Sequence, residues 1–371
     1  MVGIDMHDST EDRSVTLTLT TRCNLNCIYC YENNKSNRSM PIDVAKRILD
    51  ERFKDLGDGK LYIELFGGEP FLEFNLIKEL YDYIDGNYFD KDWIMFATTN
   101  GTLVHGDVQK WLGEHKRMIC GLSLDGDKTM HDLNRSYSFD MIDLDFFRRQ
   151  YPEQKIKMTI SQATLPMLAR GVIFAHEAGF KINCNLAFGI EWDNPDNMGI
   201  LEEQLNQLIE YYLEHPDIEP CSILNNPIGG AALTKKTPYV RKWCGTGTDM
   251  RAYYVDGSAY PCQFFMPISA GEEKARPIDS ITFKKEIPME EIDEKCRDCI
   301  AIDICPTCYG SNYVSTGNIY SKDDNYCKLM KIILKARSYF KAFQWKRGLL
   351  KLDERQEQAL LKSIVLIQNN F

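Results

Sequence analysis

VTLTLTTRCNLNCIYCYE, residues 15–32, runs a β-branched segment straight into three cysteines, Cys23, Cys27 and Cys30, at offsets of four and three. The first six residues alternate threonine with valine or leucine as a strand does. The thiols therefore fall just past a strand end, where α/β sheets place their active sites. A structural zinc site wants four ligands and usually draws them from two C-x-x-C pairs. Three thiols suit a four-iron cubane better, because such a cluster then keeps one iron free to bind a substrate or cofactor.

Outward from this stretch the same alternation recurs. Strand candidates are 15–20, 61–66, 93–98, 118–124, 156–161 and 182–188, and helix candidates are 42–56, 72–84, 107–115, 143–150, 168–179 and 197–215. Six β/α units imply a parallel sheet closed wholly or partly into a barrel. The pattern breaks at Pro216, Pro220, Pro227 and the GGAAL stretch from Gly229, which read as a linker. Seven cysteines follow between Cys244 and Cys327, and then a Lys- and Arg-rich helical tail. That tail reads as a capping helix with a solvated basic face, or as a surface for an acidic segment of a substrate. The expected architecture is α/β: a partial (β/α)6 TIM-type barrel over 1–225, a small cysteine-rich iron–sulfur domain over 226–328, and a helical extension over 329–371.

Composition narrows the class. With 371 residues and 44% hydrophobic content the chain can bury a sizeable core. A net charge of -10 argues against a nucleic-acid partner, which needs clustered cations. No apolar run approaches a membrane span, and the acidic start MVGIDMHDSTEDR is no secretory signal, so the chain reads as cytoplasmic. Thirteen cysteines in a chain of that kind point to metal or redox chemistry.

Cys23-x3-Cys27-x2-Cys30, with Tyr29 before the last thiol, resembles the signature of the radical S-adenosylmethionine (SAM) enzymes. The resemblance implies that the open iron chelates the methionine end of SAM, and that an electron from the reduced cluster cleaves the sulfonium to a 5'-deoxyadenosyl radical. Other strand ends agree over residues 15–190. Gly67-Gly68-Glu69-Pro70 follows the second strand; its glycines permit positive φ and close backbone approach, and in the family this segment meets the amino group of SAM. Thr99-Asn100-Gly101-Thr102 follows the third strand, with short polar side chains suited to ribose hydroxyls. Ser123 follows the fourth, and by resemblance contacts the ribose or the carboxylate. Arg135 can clamp that carboxylate with two parallel hydrogen bonds. Gly189, after the sixth strand, corresponds to backbone presented to adenine.

Downstream, Cys244, Gly257-x4-Cys262, Cys296-x2-Cys299-x5-Cys305-x2-Cys308 and Cys327 could be a two-zinc ribbon if taken alone. Behind a radical SAM motif their order resembles the SPASM extension, which carries two auxiliary four-iron clusters. The resemblance assigns Cys296, Cys299, Cys305 and Cys327 to an outer cluster, and Cys244, Cys262 and Cys308 to an inner one with an open iron. The central group departs from the family in having two rather than three residues between Cys305 and Cys308. Cys120 and Cys184 read as buried core thiols, and Cys221 as either a linker residue or an eighth ligand.

The resemblance implies three [4Fe–4S] clusters, SAM, and an external electron donor such as flavodoxin or ferredoxin. The leading expectation is oxidative crosslinking, through a thioether or a carbon–carbon bond, of a ribosomally made peptide. The second is formylglycine formation on a sulfatase. Sulfatase maturases carry an Asp base directly after the cysteine of the G-x4-C element, where this chain has Gln263, and a neutral amide cannot take that proton. An iron–sulfur electron carrier is the expectation from another class, but it has no use for GGEP or Arg135. Only 22 residues precede Cys23, so recognition of any leader would fall to the tail or to a separate protein, or no leader is needed.

Overall fold

The structure is a computed structural model and describes residues 13–229, 231 and 238–371. Most of the acidic start and of the GGAAL stretch lies outside the described residues. The chain divides into two compact units that interleave in sequence. The first takes the chain to Leu124, Arg135–Lys157 and Gly245–Phe283; the second takes Asp125–Asn134, Met158–Cys244 and Lys284–Phe371.

In the first unit, β1 (Arg13–Thr20), β2 (Leu61–Gly67), β3 (Trp93–Thr99) and β4 (Met118–Leu122) form a parallel ladder in the order β4-β3-β2-β1. Helices α1 (Ile42–Lys54), α2 (Phe74–Asn87) and α3 (Asp107–Glu114) connect them. Each helix is set by an apolar stripe at helical spacing: Ala45, Ile48, Leu49 and Phe53 are the buried face of α1, and Ile77, Leu80, Tyr81 and Ile84 that of α2. β1 is central, and its V-T-L-T-L-T alternation does not mark a half-exposed strand. Both faces are buried, and the threonine hydroxyls are satisfied by Glu64 at 2.9 Å, the Met266 sulfur at 3.2 Å and the Arg38 carbonyl at 3.2 Å.

After β4 the regular ladder gives way to a single bridge from Ser123 to Lys157. A helix that the sequence reading missed, α4 (Lys128–Asn134), lies just ahead of Arg135, followed by α5 (Leu144–Gln150). β5 (Ile156–Ile160) and β6 (Ile182–Leu186) pair as a separate two-stranded sheet, with α6 (Leu168–Glu177) between them. Six strands in the expected places are present, but only four share the continuous ladder.

Three further expectations are corrected. The segment read as linker contains a buried turn: α7 (Asn197–Glu214) is followed by α8 (Ser222–Asn225), and Cys221 is fully buried, with its amide donating to the Tyr212 hydroxyl at 2.9 Å. The short strand β7 (Tyr239–Arg241) follows. Strands β8 (Met250–Tyr253) and β9 (Ala259–Tyr260), from the cysteine-rich region, extend the first unit's sheet, β8 running parallel to β1. β10 (Glu286–Pro288) pairs with β7. The tail, finally, is two helices rather than one. After α9 (Tyr309–Thr316), α10 (Asp324–Lys346) begins before Cys327, so that thiol sits in its first turn, and α11 (Glu354–Asn370) follows. α10 packs on α7, with Leu334, Arg337 and Phe340 buried, so this helix is core of the second unit. No helix among the described residues is long and apolar enough to cross a membrane.

Candidate iron–sulfur and SAM site

The loop that carries Cys23, Cys27 and Cys30 leaves β1 and returns to it. The Thr21 amide donates to the Arg38 carbonyl at 2.9 Å and the Met40 amide to the Leu19 carbonyl at 2.9 Å, closing the loop at its neck. Inside it the Cys30 amide donates to the Cys27 carbonyl at 3.1 Å, and the Leu25 amide to the Cys23 sulfur at 3.4 Å. All three thiols are partly exposed. Among the described residues no three metal-ligating side chains converge on a single-ion position. A tetrahedral zinc would need its sulfurs about 3.8 Å apart, whereas a cubane takes each thiolate on a different iron. Burial pushes the Cys23 thiol up to about 11 and raises Cys30 as well. Iron would displace those protons on binding.

GGEP is pressed against this loop. The Gly68 amide donates to the Thr20 carbonyl at 3.2 Å, and the Glu69 amide to the Arg22 carbonyl at 2.8 Å. A Cβ on Gly68 would stand 2.2 Å from the Arg22 carbonyl oxygen, and one on Gly67, at φ +139°, 2.2 Å from that of Thr20. The glycines are thus needed for the approach of two strand ends.

Glu69 is almost fully buried, and its carboxylate is shared out. It accepts from the Phe71 amide at 3.1 Å, the Thr99 hydroxyl at 2.8 Å and the Asn100 amide at 2.8 Å. Burial raises its pKa, opposed by those hydrogen bonds and by the charge of Arg135. A carboxylate offers about four lone-pair positions, so one is left for a donor outside this set. Asn100 in turn donates to Asn24 at 2.8 Å and accepts from Thr102, while Asn24 donates to Thr102 at 2.7 Å. Thr102 belongs to the polar segment expected after the third strand, whereas Asn24 was not singled out in the sequence, although it is a short polar residue next to Cys23. The side chains of Thr99 and Asn100 therefore tie the ends of β2 and β3 to the cysteine loop.

Ser123 is buried, with its amide on the Thr99 carbonyl at 2.9 Å. The buried Arg135 lies over the Tyr29 ring, 5.4 Å from its centroid, joining two predicted SAM residues. The next two residues, Ser136 and Tyr137, are both left-handed at φ 56° and 57°. Such strain costs about 1–3 kcal/mol each, and here it lets the Ser136 hydroxyl accept from the Asn26 amide at 2.9 Å, clipping the Arg135 turn to the cysteine loop. Gly189, at φ +76°, lies in the second unit.

In the second unit Cys296, Cys299, Cys305 and Cys327 all line one cavity of about 560 Å³. These are the four thiols that the resemblance assigns to the outer cluster. Burial raises Cys296, to about 11, and Cys327, while Lys322 acts against the shift on both. Of the inner set, Cys244 and Cys308 interact electrostatically within the second unit, and Cys262 belongs to the first. Cys120, Cys184 and Cys221 are fully buried, and the expected core placement of the first two holds. Substituting Cys221 by Ala should lower stability by about 1–2 kcal/mol through lost packing and leave the iron content unchanged; a loss of iron would make it a ligand.

A parallel sheet whose strand ends converge on three partly exposed thiols, with a second unit gathering four more around one cavity, defines an α/β iron–sulfur enzyme class. Comparison with known proteins is specific. The family model of the Radical SAM superfamily matches residues 17–143. The cysteine-type anaerobic sulfatase-maturating enzyme of Clostridium perfringens (strain 13 / Type A) is 34% identical over 332 residues, 76% of this chain and 84% of that protein. The AdoMet-dependent heme synthase of Methanosarcina barkeri (strain Fusaro) is 23% identical over 351 residues, 85% of this chain and 96% of that one. The solved structure of native anSMEcpe with bound AdoMet and Cp18Cys peptide superposes with a TM-score of 0.68 at 19% identity, covering 97% of this chain and 99% of that one, a likeness of fold. The chain belongs to the radical SAM superfamily and is a radical SAM enzyme of the SPASM type. That membership implies SAM and one four-iron cluster.

Proposed function

We propose that this chain is a peptide maturase that oxidatively crosslinks a ribosomally made peptide. The observation that carries the reading is Gln263, directly after Cys262 and hydrogen-bonded to Tyr31, whose ring stacks on Phe264 with centroids 4.2 Å apart. Its side-chain oxygen is buried and has no partner among the described residues. A neutral amide in this position can hold a substrate N–H, but it cannot take a proton as the carboxylate of a sulfatase maturase does. A peptide as the substrate class is supported by the likeness of fold to native anSMEcpe, solved with a bound Cp18Cys peptide.

SAM and the cluster at Cys23, Cys27 and Cys30 would supply hydrogen-atom abstraction. The chain's own part is positional. Arg135 and the remaining lone pair of Glu69 are offered to the carboxylate and amino ends of the cofactor, and Thr99 and Asn100 hold the strand ends rigid around it. Ser123, Tyr29 and Gly189 complete the proposed SAM contacts.

Three four-iron clusters on ten cysteines predict about twelve irons per chain after anaerobic reconstitution; zinc as the dominant metal would overturn the assignment. The substrate test is a search of the neighbouring reading frames for a short peptide, and incubation of any such peptide with the reduced enzyme and SAM. The expected product has lost two hydrogens and resists fragmentation inside a ring. Formylglycine formation is the second reading, favoured by the similarity to the C. perfringens maturase. An aldehyde on a Cys or Ser, with no ring, would establish it instead.

A further inference from the structure

The four cysteines around the second unit's cavity do not share one electrostatic environment. Lys322, half-buried, places its ammonium 3.0 Å from the Cys305 sulfur, 3.3 Å from the Pro306 carbonyl and 3.5 Å from the Cys305 carbonyl. Trp243 also donates its indole N–H to the Cys305 carbonyl.

Among the described residues Lys322 forms no ion pair with a carboxylate. The neighbouring Lys295 shows the contrast, since Asp324 neutralises it at 2.5 Å. Lys322 therefore has only the Cys305 sulfur and nearby carbonyls to meet its charge, which points to an anion held through that sulfur.

We propose that Lys322 is a counter-charge of an anionic iron–sulfur cluster seated on Cys296, Cys299, Cys305 and Cys327, and that it raises the cluster's reduction potential so that it serves as an electron acceptor. This rests on the reading of those four cysteines as cluster ligands. A four-iron cluster on four thiolates is negative and gains one more negative charge on reduction, so nearby cations favour the reduced form. The electron would come from the oxidised substrate in turnover, and from dithionite in the test.

The test is an EPR-monitored redox titration of reconstituted full-length protein, with iron counted in parallel. The Cys296→Ala/Cys299→Ala double variant checks the underlying reading: it should lose about four irons and one cluster signal. Lys322→Gln keeps a hydrogen-bond donor and removes the charge; Lys322→Arg keeps the charge. In Lys322→Gln the signal that the double variant lacks should move to a more negative potential by at least tenfold in the one-electron equilibrium, about 59 mV. In Lys322→Arg it should stay close to the native value. Loss of that signal and its iron in Lys322→Gln alone, with both kept in Lys322→Arg, would also support the proposal, because the charge is then needed to seat the cluster. An unchanged midpoint in Lys322→Gln overturns it, and so does an equal disturbance in both variants, which would make Lys322 a matter of loop geometry. If the double variant keeps all its iron, the ligand reading itself fails, whatever the lysine variants show.

Discussion

Replacing Cys23, Cys27 and Cys30 together by Ala is expected to abolish SAM cleavage while leaving the downstream iron in place. Iron should fall from about twelve to about eight per chain, and 5'-deoxyadenosine should drop to the level of a control without enzyme. The basis is spatial. These three thiols share one loop with the ends of β2 and β3, where Glu69, Asn100 and Arg135 gather, and the other seven motif cysteines belong to the downstream segment from Cys244. The loop should keep its shape without them, because its neck is closed through Thr21 and Met40 and its middle is held by Asn26 on Ser136. Thermal melting of the apo protein checks that the fold survives. Continued SAM cleavage by the triple variant would show that the assignment of this cluster is wrong.

Gly68→Ala is the second large effect. The new Cβ would lie 2.2 Å from the Arg22 carbonyl oxygen and 2.8 Å from the Cys23 Cβ, both next to the first cysteine. Neither neighbour yields cheaply, since the Arg22 carbonyl is held by the Glu69 amide at 2.8 Å. Overpacking of this kind costs about 1–3 kcal/mol or more, well above the roughly 0.4–1 kcal/mol that an added methyl returns by restricting the unfolded chain. Relief of the clash would push β2's exit away from the cysteine loop and pull Glu69 off Thr99 and Asn100. A lower denaturation midpoint and at least tenfold weaker SAM binding, read by equilibrium dialysis on reconstituted protein, are expected. Gly67→Ala should be as severe, because it adds a strained φ to a backbone clash. Native-like melting together with native-like SAM binding in Gly68→Ala would mean that the strand ends can separate without consequence for the site.

Much of this was written along the chain. Cys23-x3-Cys27-x2-Cys30 is a covalent spacing, and it marks the cluster loop with no knowledge of the fold. Strand and helix periods are equally local, which is why β1 to β6 and the helices between them fall close to their expected positions. Cys120 and Cys184, inside apolar strands, read correctly as core. Where the local signal was weak the reading failed. α4 is seven residues long and polar at His131, Asp132 and Asn134. Asn134 is nonetheless fully buried, because it bonds Asp125, Thr159 and Ser161, partners 9 to 27 residues away.

Tertiary structure alone decided the rest. That β8 runs beside β1, that Glu69 holds two strand ends together through Thr99 and Asn100, and that Ser136 clips the Arg135 turn to Asn26 are contacts between residues 30 to 236 positions apart. Gly68 is a glycine because of the Arg22 carbonyl, a neighbour 46 residues away. Lys322 looks in sequence like an ordinary loop cation, and only packing sets it against the Cys305 thiol. The physical reason is common to all of these. Period and spacing fix what a residue can do alone, whereas burial decides which polar groups must find partners, and those partners come from whichever segment the core brings alongside.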